Sequence, residues 1–256
     1  MTVRKRFGQH FLHDPNTISR ILHAIHPVID DHIVEIGPGR GALTRGLIEC
    51  GCQLQVIEID RDLSAELQRK FACLDVICSD ALSVDYTSLK AGRPFRVIGN
   101  LPYNISTPLL FRLYSHKSVI SDMTFMLQEE VVDRICASPG TSAYGRLSIM
   151  SQYHCMVEKL FTVPPESFSP MPGVTSAMIR LTPHQQYIAV RDIVCLQEVL
   201  ISAFNARRKT IRNALKTLLS EEDLDKLGID SRIRPDQLGL EDYIRCADQI
   251  WEQRQQ

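Results

Sequence analysis

The residues Asn100, Leu101, Pro102 and Tyr103 bring together groups that can hold a purine amine. The side-chain oxygen of Asn100 and the backbone carbonyl of Leu101 can accept its two N–H bonds, while the ring of Tyr103 can stack on the base. An apolar run at residues 95–99 precedes this tetrapeptide and predicts a strand. We therefore expect these groups at the carboxyl end of a strand, the edge where open α/β sheets bind ligands.

A glycine-rich segment earlier in the chain is a second candidate ligand loop, because it follows a predicted strand and precedes a predicted helix. Glycine lets the backbone turn tightly and approach a ligand closely. The spacing Gly37-x-Gly39-x-Gly41 is typical of S-adenosylmethionine enzymes, whereas Gly37-x-Gly39-x-x-Ala42 also satisfies the looser dinucleotide fingerprint. The loop alone therefore leaves both cofactor classes open.

Two acidic residues follow the glycine loop, at the ends of the next two predicted strands. The carboxylate of Glu58 can accept both ribose hydroxyls, which either cofactor would provide. Asp80 can accept a hydrogen bond from an adenine amine, or it can simply cap the start of a helix.

The tetrapeptide favours an amine methylase over a nicotinamide dehydrogenase, which has no need for these groups. The lone pair of adenine N6 is delocalised into the ring, so the amine is a poor nucleophile. Acceptors at Asn100 and Leu101 would bias the nitrogen toward tetrahedral geometry and aim its lone pair at a sulfonium methyl group. Pro102 would fix the backbone so that the carbonyl of Leu101 faces the pocket. The alternative is an ordinary strand-to-helix turn with a packed tyrosine.

The elements that position these residues alternate between strands and helices in the first half of the chain. Helical spacing predicts three helices, at residues 43–50, 62–71 and 108–114, the last capped by Thr107. Apolar runs predict strands at residues 33–36, 53–59, 75–78, 95–98 and 123–127. Such alternation predicts βαβ units, and therefore a Rossmann-like α/β fold with a parallel sheet.

The pattern changes in the second half of the chain. Residues 147–163 and 175–181 are typical of two long strands, joined by a proline-rich loop whose length indicates a functional role. From Asp192 onward the spacing indicates helices only. We therefore predict a catalytic domain at residues 1–186 and a small all-helical domain at residues 187–256.

Composition and the first residues of the chain favour a cytoplasmic protein. No apolar run approaches the roughly 18 residues of a membrane span, and the amino terminus lacks the apolar core of a secretory signal. The eight cysteines form no CxxC pair, which fits reduced thiols. His10 and His13 have no carboxylate or thiol cluster beside them, so we expect no metal site.

Basic residues are clustered although the net charge is only −1. One cluster occupies residues 4–6, and a second lies in a segment without acidic residues. If residues 204–216 form one helix, Arg208, Arg212 and Lys216 share one stripe, which predicts contacts with RNA phosphates. The alternative is a solvated helix face. The candidate RNA-binding residues are Arg207, Arg208, Lys209, Arg212 and Lys216.

Five motifs occur in order along nearly the whole chain: Gly8-Gln-His-Phe-Leu12, Glu35-Ile-Gly-Pro-Gly39, Gly99-Asn-Leu-Pro-Tyr-Asn-Ile-Ser106, Tyr144-Gly-Arg-Leu-Ser148 and Phe204-Asn-x-Arg-Arg-Lys-Thr-Ile-Arg212. Together they resemble the small-subunit rRNA adenine N6-dimethyltransferases, the bacterial kasugamycin-sensitivity enzymes. The resemblance implies dimethylation of two adjacent adenosines in the hairpin near the 3′ end of 16S rRNA. It also implies S-adenosylmethionine as cofactor and the 30S subunit as partner, late in its biogenesis. We expect a monomer.

The resemblance further implies roles for single residues. Phe168 would face the target base opposite Tyr103, although an aromatic side chain in a proline-stiffened loop can equally fill the core. His10 stands where many relatives have asparagine, which leaves its contact atom open. The residues expected to line the cofactor pocket are His10, Leu12, Gly37, Gly39, Gly41, Glu58, Asp80 and Asn100.

Three other functions stay open. A macrolide-resistance methylase acting on 23S rRNA would share the fold and the chemistry, but Leu101 and the motif at residues 144–148 favour the small-subunit enzyme. A non-catalytic organellar transcription or assembly factor would not need the complete tetrapeptide at residues 100–103. A nicotinamide dehydrogenase is the third alternative.

Overall fold

The computed structural model describes residues 10–89, 92–185 and 189–255, and seven strands of this part of the chain form one sheet. The strands of the described residues are β1 (Phe11–Leu12), β2 (His32–Ile36), β3 (Gln53–Glu58), β4 (Asp75–Cys78), β5 (Phe95–Asn100), β6 (Ile120–Gln128), β7 (Cys155–Val163), β8 (Phe168–Ser169) and β9 (Ser176–Pro183). The sheet order is β4-β3-β2-β5-β6-β9-β7, with parallel pairs from β4 to β6 and an antiparallel pair between β6 and β9. The Rossmann-like α/β prediction is confirmed.

The α-helices described up to residue 135 are α1 (Pro15–Ile25), α2 (Ala42–Glu49), α3 (Arg61–Lys70), α4 (Ser106–Tyr114) and α5 (Glu129–Ile135). Helices α2, α3 and α4 separate parallel strands, as the alternation predicts, whereas the described residues between β4 and β5 form turns; α1 precedes β2 and α5 follows β6. The predicted cap at Thr107 is wrong, because α4 already begins at Ser106, after Ile105, and no side chain caps it. Ser106 instead donates its hydroxyl to the Tyr103 carbonyl at 3.1 Å. The local sequence could not show that the turn after β5 closes on itself in this way.

The predicted long strand at residues 147–163 is wrong in its first half, which forms helix α6 (Arg146–His154). Residues 147–151 are all buried, so the segment lacks the one-sided apolar spacing that identifies an amphipathic helix. The hydroxyl of Ser148 accepts a hydrogen bond from the Gly145 N–H at 3.0 Å and starts the helix. The second half of the prediction corresponds to β7, and the strand predicted at residues 175–181 corresponds to β9.

A short two-stranded sheet closes the amino-terminal segment against the proline-rich loop. Strands β1 and β8 pair antiparallel, with Leu12 opposite Phe168. Both side chains belong to the main hydrophobic cluster, which also contains Ile33, Ile98 and Met178. Residues that are far apart in the sequence therefore meet beside the end of β5.

From residue 189 onward the described chain contains helices and no strand, as predicted. They are α7 (Ile193–Asn205), α8 (Ile211–Leu215), α9 (Glu221–Lys226) and α10 (Leu240–Gln255). The backbone contacts divide the chain into two compact units, one formed by Met1–Val132 with Met156–Pro183 and the other by Asp133–Cys155 with His184–Gln256. The predicted boundary between residues 186 and 187 lies outside the described residues and stays a prediction.

Candidate active site

A cavity of about 320 Å³ opens in the first unit beside the carboxyl ends of β2, β3 and β5. The sequence places most of the predicted site residues there, because parallel strands all end at one edge of the sheet. The predicted residues that line it are His10, Leu12, Gly37, Gly39, Glu58, Asp80, Asn100, Leu101, Pro102 and Tyr103. Gly41 and Phe168 are not among the lining residues.

The glycine loop brings the ends of β2 and β5 close together. Gly37 has φ +66°, a conformation that favours glycine, and a Cβ there would lie 3.5 Å from the Asn100 carbonyl oxygen. Gly41 has φ +78°, and a Cβ there would lie 2.9 Å from the Phe71 ring. Gly41 therefore allows α2 to start against α3, and its predicted contact with the cofactor stays a prediction.

Glu58 is held in the cavity by two backbone donors from neighbouring turns. One carboxylate oxygen accepts the Gly39 N–H at 3.2 Å and the other accepts the Asp60 N–H at 2.9 Å. Burial raises the pKa of the Glu58 carboxyl, while the two donors act in the opposite direction. Each oxygen has a second lone pair, so the carboxylate can still accept a ribose hydroxyl.

Asp80 caps a turn and also faces the cavity. Its Oδ1 accepts the Leu82 N–H at 2.9 Å, in a turn at residues 81–83 that does not continue as a helix. The predicted alternative of a helix cap is therefore wrong in detail. The side chain keeps acceptor capacity for an adenine amine.

Glu35 is a cavity residue that the sequence reasoning did not select. It lies in β2, all five residues of which are buried, and the Thr44 hydroxyl donates to it at 2.6 Å. Burial raises the pKa of the Glu35 carboxyl to about 7, and the negative charge of Glu58 acts in the same direction. The available signal was a single acid inside an apolar strand, directly before the glycine loop.

Asn100 has its amide orientation fixed by the amino-terminal segment. Its Nδ2 donates to the His10 carbonyl oxygen at 3.1 Å, which leaves Oδ1 as the acceptor end of the amide. The N–H of Leu101 donates to the Met126 carbonyl at 3.2 Å and ties the tetrapeptide to β6. Among the described residues, no donor bonds to the Leu101 carbonyl oxygen.

The ring of Tyr103 is held on one face and at its hydroxyl. His10 stacks on one face, with ring centroids 5.9 Å apart and an interplanar angle of 29°. The hydroxyl lies 2.9 Å from the Ser176 hydroxyl. His10 is itself fixed by Pro170, whose carbonyl oxygen lies 2.8 Å from Nδ1. The imidazole thus contacts Tyr103, and its predicted contact with a cofactor stays a prediction.

Phe168 fills the core in this structure. It is 3% exposed and packs in the main hydrophobic cluster with Leu12, Met126 and Met178. This burial favours the core alternative that the sequence left open. Stacking of Phe168 on a target base stays a prediction.

The basic segment of the second unit is not one helix, so the predicted stripe is wrong. Helix α7 ends at Asn205, a turn follows, and α8 covers only Ile211–Leu215. Two of the five basic residues have internal partners. Arg207 donates to the Ser142 carbonyl at 2.7 Å, and Arg212 pairs with Glu221 at 3.2 Å.

The other three basic residues of this segment, Arg208, Lys209 and Lys216, are exposed. They make no ion pair with another described residue. Arg207 also forms an ion pair with Asp236 at 3.5 Å. Asp236 and Glu221 lie at or beyond the end of the acid-free segment, so its composition could not reveal these pairs. The basic cluster at residues 4–6 lies outside the described residues.

The described ranges contain no group of three or more histidine, cysteine, aspartate or glutamate side chains arranged to hold a metal ion. Within the same ranges, every helix is too short or too polar to cross a membrane.

Comparison of the sequence with known proteins gives consistent matches. The family model described as "Ribosomal RNA adenine dimethylase" matches residues 1–251. A protein named ribosomal RNA small subunit methyltransferase A, from Marinobacter nauticus, is 52% identical over 96% of this chain and 91% of its own length. The protein of that name from Pseudomonas putida is 51% identical over 99% of this chain and 97% of its own length.

Solved structures resemble the fold over most of the chain. A dimethyladenosine transferase from Plasmodium falciparum matches with a TM-score of 0.80 at 26% identity, covering 93% of this chain and 96% of that one. The 23S rRNA methyltransferase ErmE matches with a TM-score of 0.71 at 24% identity, covering 94% and 99%. The likeness to ErmE shows the shared fold alone.

Proposed function

We propose that this chain, which belongs to the ribosomal RNA adenine dimethylase family, dimethylates the N6 amines of two adjacent adenosines in 16S rRNA. The adenosines would lie in the 3′-terminal hairpin, and the methyl donor would be S-adenosylmethionine. The small-subunit name shared by relatives about half identical over nearly the whole chain supports 16S rather than 23S rRNA. The structural observation that best supports the proposal is the orientation of the Asn100 amide, which leaves Oδ1 as the acceptor.

The charges of the cavity fit S-adenosylmethionine. Three acids, Glu35, Glu58 and Asp80, line it, of which Glu35 keeps its proton below about pH 7, and Arg40 is the only arginine or lysine among the described lining residues. Such a lining suits a ligand with sulfonium and ammonium cations and a single carboxylate. Glu58 would hold the ribose and Asp80 the adenine amine, while Gly37 and Gly39 allow close approach. When bound, the cofactor supplies an electrophilic methyl group on its sulfonium centre.

Asn100 and Leu101 would hold the target amine from two sides. Because Nδ2 of Asn100 is engaged by the His10 carbonyl, Oδ1 is the atom left to accept one N6–H. The Leu101 carbonyl would accept the other. Two acceptors draw the nitrogen lone pair out of conjugation and orient it for in-line attack, so most of the rate gain comes from positioning. The proton becomes acidic once the methyl group has transferred, so no strong base is required.

Tyr103 would stack on the extruded base. Stacking of a base on an aromatic side chain is worth about 1–3 kcal/mol, part of the cost of taking an adenine out of its stack. Since His10 covers one face of the ring, the opposite face would receive the base.

The second unit would contact the RNA backbone through its exposed basic residues. Arg208, Lys209 and Lys216 have no internal ion pair with a described residue and can bind phosphates, which positions RNA without reading its sequence. The choice of two adjacent adenines would then depend on the shape of the assembled 30S subunit. We place the reaction in the cytoplasm and expect the protein to act as a monomer.

Nucleoside mass spectrometry tests this function. The full chain is incubated with S-adenosylmethionine and undermethylated 30S particles, and in parallel with 23S rRNA. The proposal predicts N6,N6-dimethyladenosine in 16S rRNA and none in 23S rRNA. Methylation of 23S rRNA alone, or of neither substrate, would reject it.

A further inference from the structure

Ser176 contacts the proposed stacking residue from a different part of the chain. It is the first residue of β9 and lies opposite Gln128 at the end of β6. Its side chain is 1% exposed, and its hydroxyl lies 2.9 Å from the Tyr103 hydroxyl. The bond joins the start of β9 to the half-buried ring of Tyr103.

Three contacts together determine where the Tyr103 ring lies. Ser106 donates to the Tyr103 carbonyl and fixes the backbone of the turn. His10 covers one face of the ring at a centroid distance of 5.9 Å. Ser176 holds the hydroxyl end of the ring and so restricts its χ1 torsion, while the stacked imidazole of His10 restricts its plane.

The plane of this ring matters for the reaction. A base whose N6 is held by Asn100 and Leu101 has its plane set by those acceptors, so a stacking ring must lie parallel to that plane. An unpinned ring would sample other rotamers and hold the base less firmly in the attacking geometry, where small displacements are costly.

We propose that Ser176 is a positioning residue that holds the Tyr103 ring in place against His10, so that the target base stacks on the face opposite His10. Ser176 touches neither the cofactor nor the reacting atoms in this account. The inference rests on the proposed function, because it assigns Ser176 a role only if Tyr103 stacks on the adenine.

The test is a double-mutant cycle in the full-length protein. Ser176→Ala and Tyr103→Phe each remove one partner of the same bond, so each should lower kcat on 30S particles about threefold to tenfold. The double variant should lose no more than either single variant. KM for the particle should stay within about twofold, because phosphate contacts dominate RNA affinity.

Two controls separate positioning from folding. Ser167→Ala removes another buried hydroxyl, whose hydrogen bond is to the Thr17 hydroxyl at 3.0 Å and not to a residue of the proposed mechanism, so its kcat should equal the wild-type value. Each kcat is normalised to the fraction of molecules that bind S-adenosylhomocysteine. If the serine variant folds poorly, Tyr103→Phe still tests the bond, since it keeps the ring.

Distinct outcomes overturn distinct claims. The positioning role is wrong if Ser176→Ala keeps the wild-type kcat, or if the losses of the two single variants multiply in the double variant. It is also wrong if Tyr103→Phe keeps full activity while Tyr103→Ala does not, although stacking then stands. If Tyr103→Ala itself keeps full activity, the stacking role in the proposed function fails.

Discussion

The cavity has a cofactor half, defined by Glu35, Glu58 and Asp80, and a target half, defined by His10, Asn100 and Tyr103. The acids of the cofactor half are bonded to groups nearby in the sequence, such as Thr44 for Glu35 and Leu82 for Asp80. The side chains of the target half depend on bonds that span 73, 90 and 160 positions. Motifs in the sequence therefore specify the cofactor half locally, whereas the target half forms only when the sheet and the proline-rich loop are assembled.

Substitution of Gly99 should disturb both halves of the cavity, and we expect it to have the largest effect on stability. It pairs with Ile36 across β2 and β5, and a Cβ at this position would lie 2.4 Å from the Ile36 carbonyl oxygen. The clash is with backbone of a central strand, so Gly99→Ala should lower the free energy of unfolding by about 3 kcal/mol or more.

Urea denaturation measures this effect. Gly173→Ala is the matched control, because Gly173 is exposed, lacks a positive φ and has no atom within 4 Å of the position that a Cβ would take. The control should change stability by less than about 0.5 kcal/mol. Equal stability of the two variants would mean that the strands do not approach as described.

The two halves should also differ in how they affect stability as the pH changes, because the buried carboxyl of Glu35 lies in the cofactor half. Its folded pKa of about 7 lies above the ordinary value of 4.5, because burial disfavours the charged form. Between these values the folded state keeps a proton that the unfolded state has lost, so stability falls as pH rises through this window and levels off above it. The free energy of unfolding falls by about 3 kcal/mol across this window.

Glu35→Gln should therefore flatten the fall in unfolding free energy between about pH 4.5 and 7, measured without cofactor. A smaller slope should remain, because burial also raises the pKa of Glu58. Asn100→Ala, in the target half, should leave the slope unchanged. An equal slope in Glu35→Gln and the wild type would show that Glu35 is ionised throughout.

Arg207 and Arg208 give the smallest expected effects and extend the comparison to the second unit. Arg207 donates to the Ser142 carbonyl, so Arg207→Ala should lower stability by about 1 kcal/mol. Arg208 has no such partner, so Arg208→Ala should leave stability unchanged and reduce the salt slope of 30S binding by about one. Urea denaturation measures the stability of the two variants, and a filter assay of 30S binding at several salt concentrations measures their salt slopes. Equal stability and equal salt slopes of the two variants would contradict the assignment of Arg207 as a residue that stabilises the second unit through its bond to Ser142.

The contrast between the halves also explains how far the sequence could predict the structure. Strand β4 and the glycine loop were predicted closely because their signals are local, an apolar run and a fixed glycine spacing. Helix α6 was missed because it is buried on several sides and has no apolar stripe. The contact of Ser176 with Tyr103, and the choice between the two roles left open for Phe168, could not be predicted, since both depend on pairing between distant strands.

The orientation of the target amine is tested most directly by single-turnover methylation of undermethylated 30S particles by Asn100→Ala. The loss of one preorganised acceptor should slow methyl transfer about 100-fold or more, while affinity for S-adenosylhomocysteine changes by less than about fivefold. An undiminished rate of adenine methylation by this variant would contradict the account.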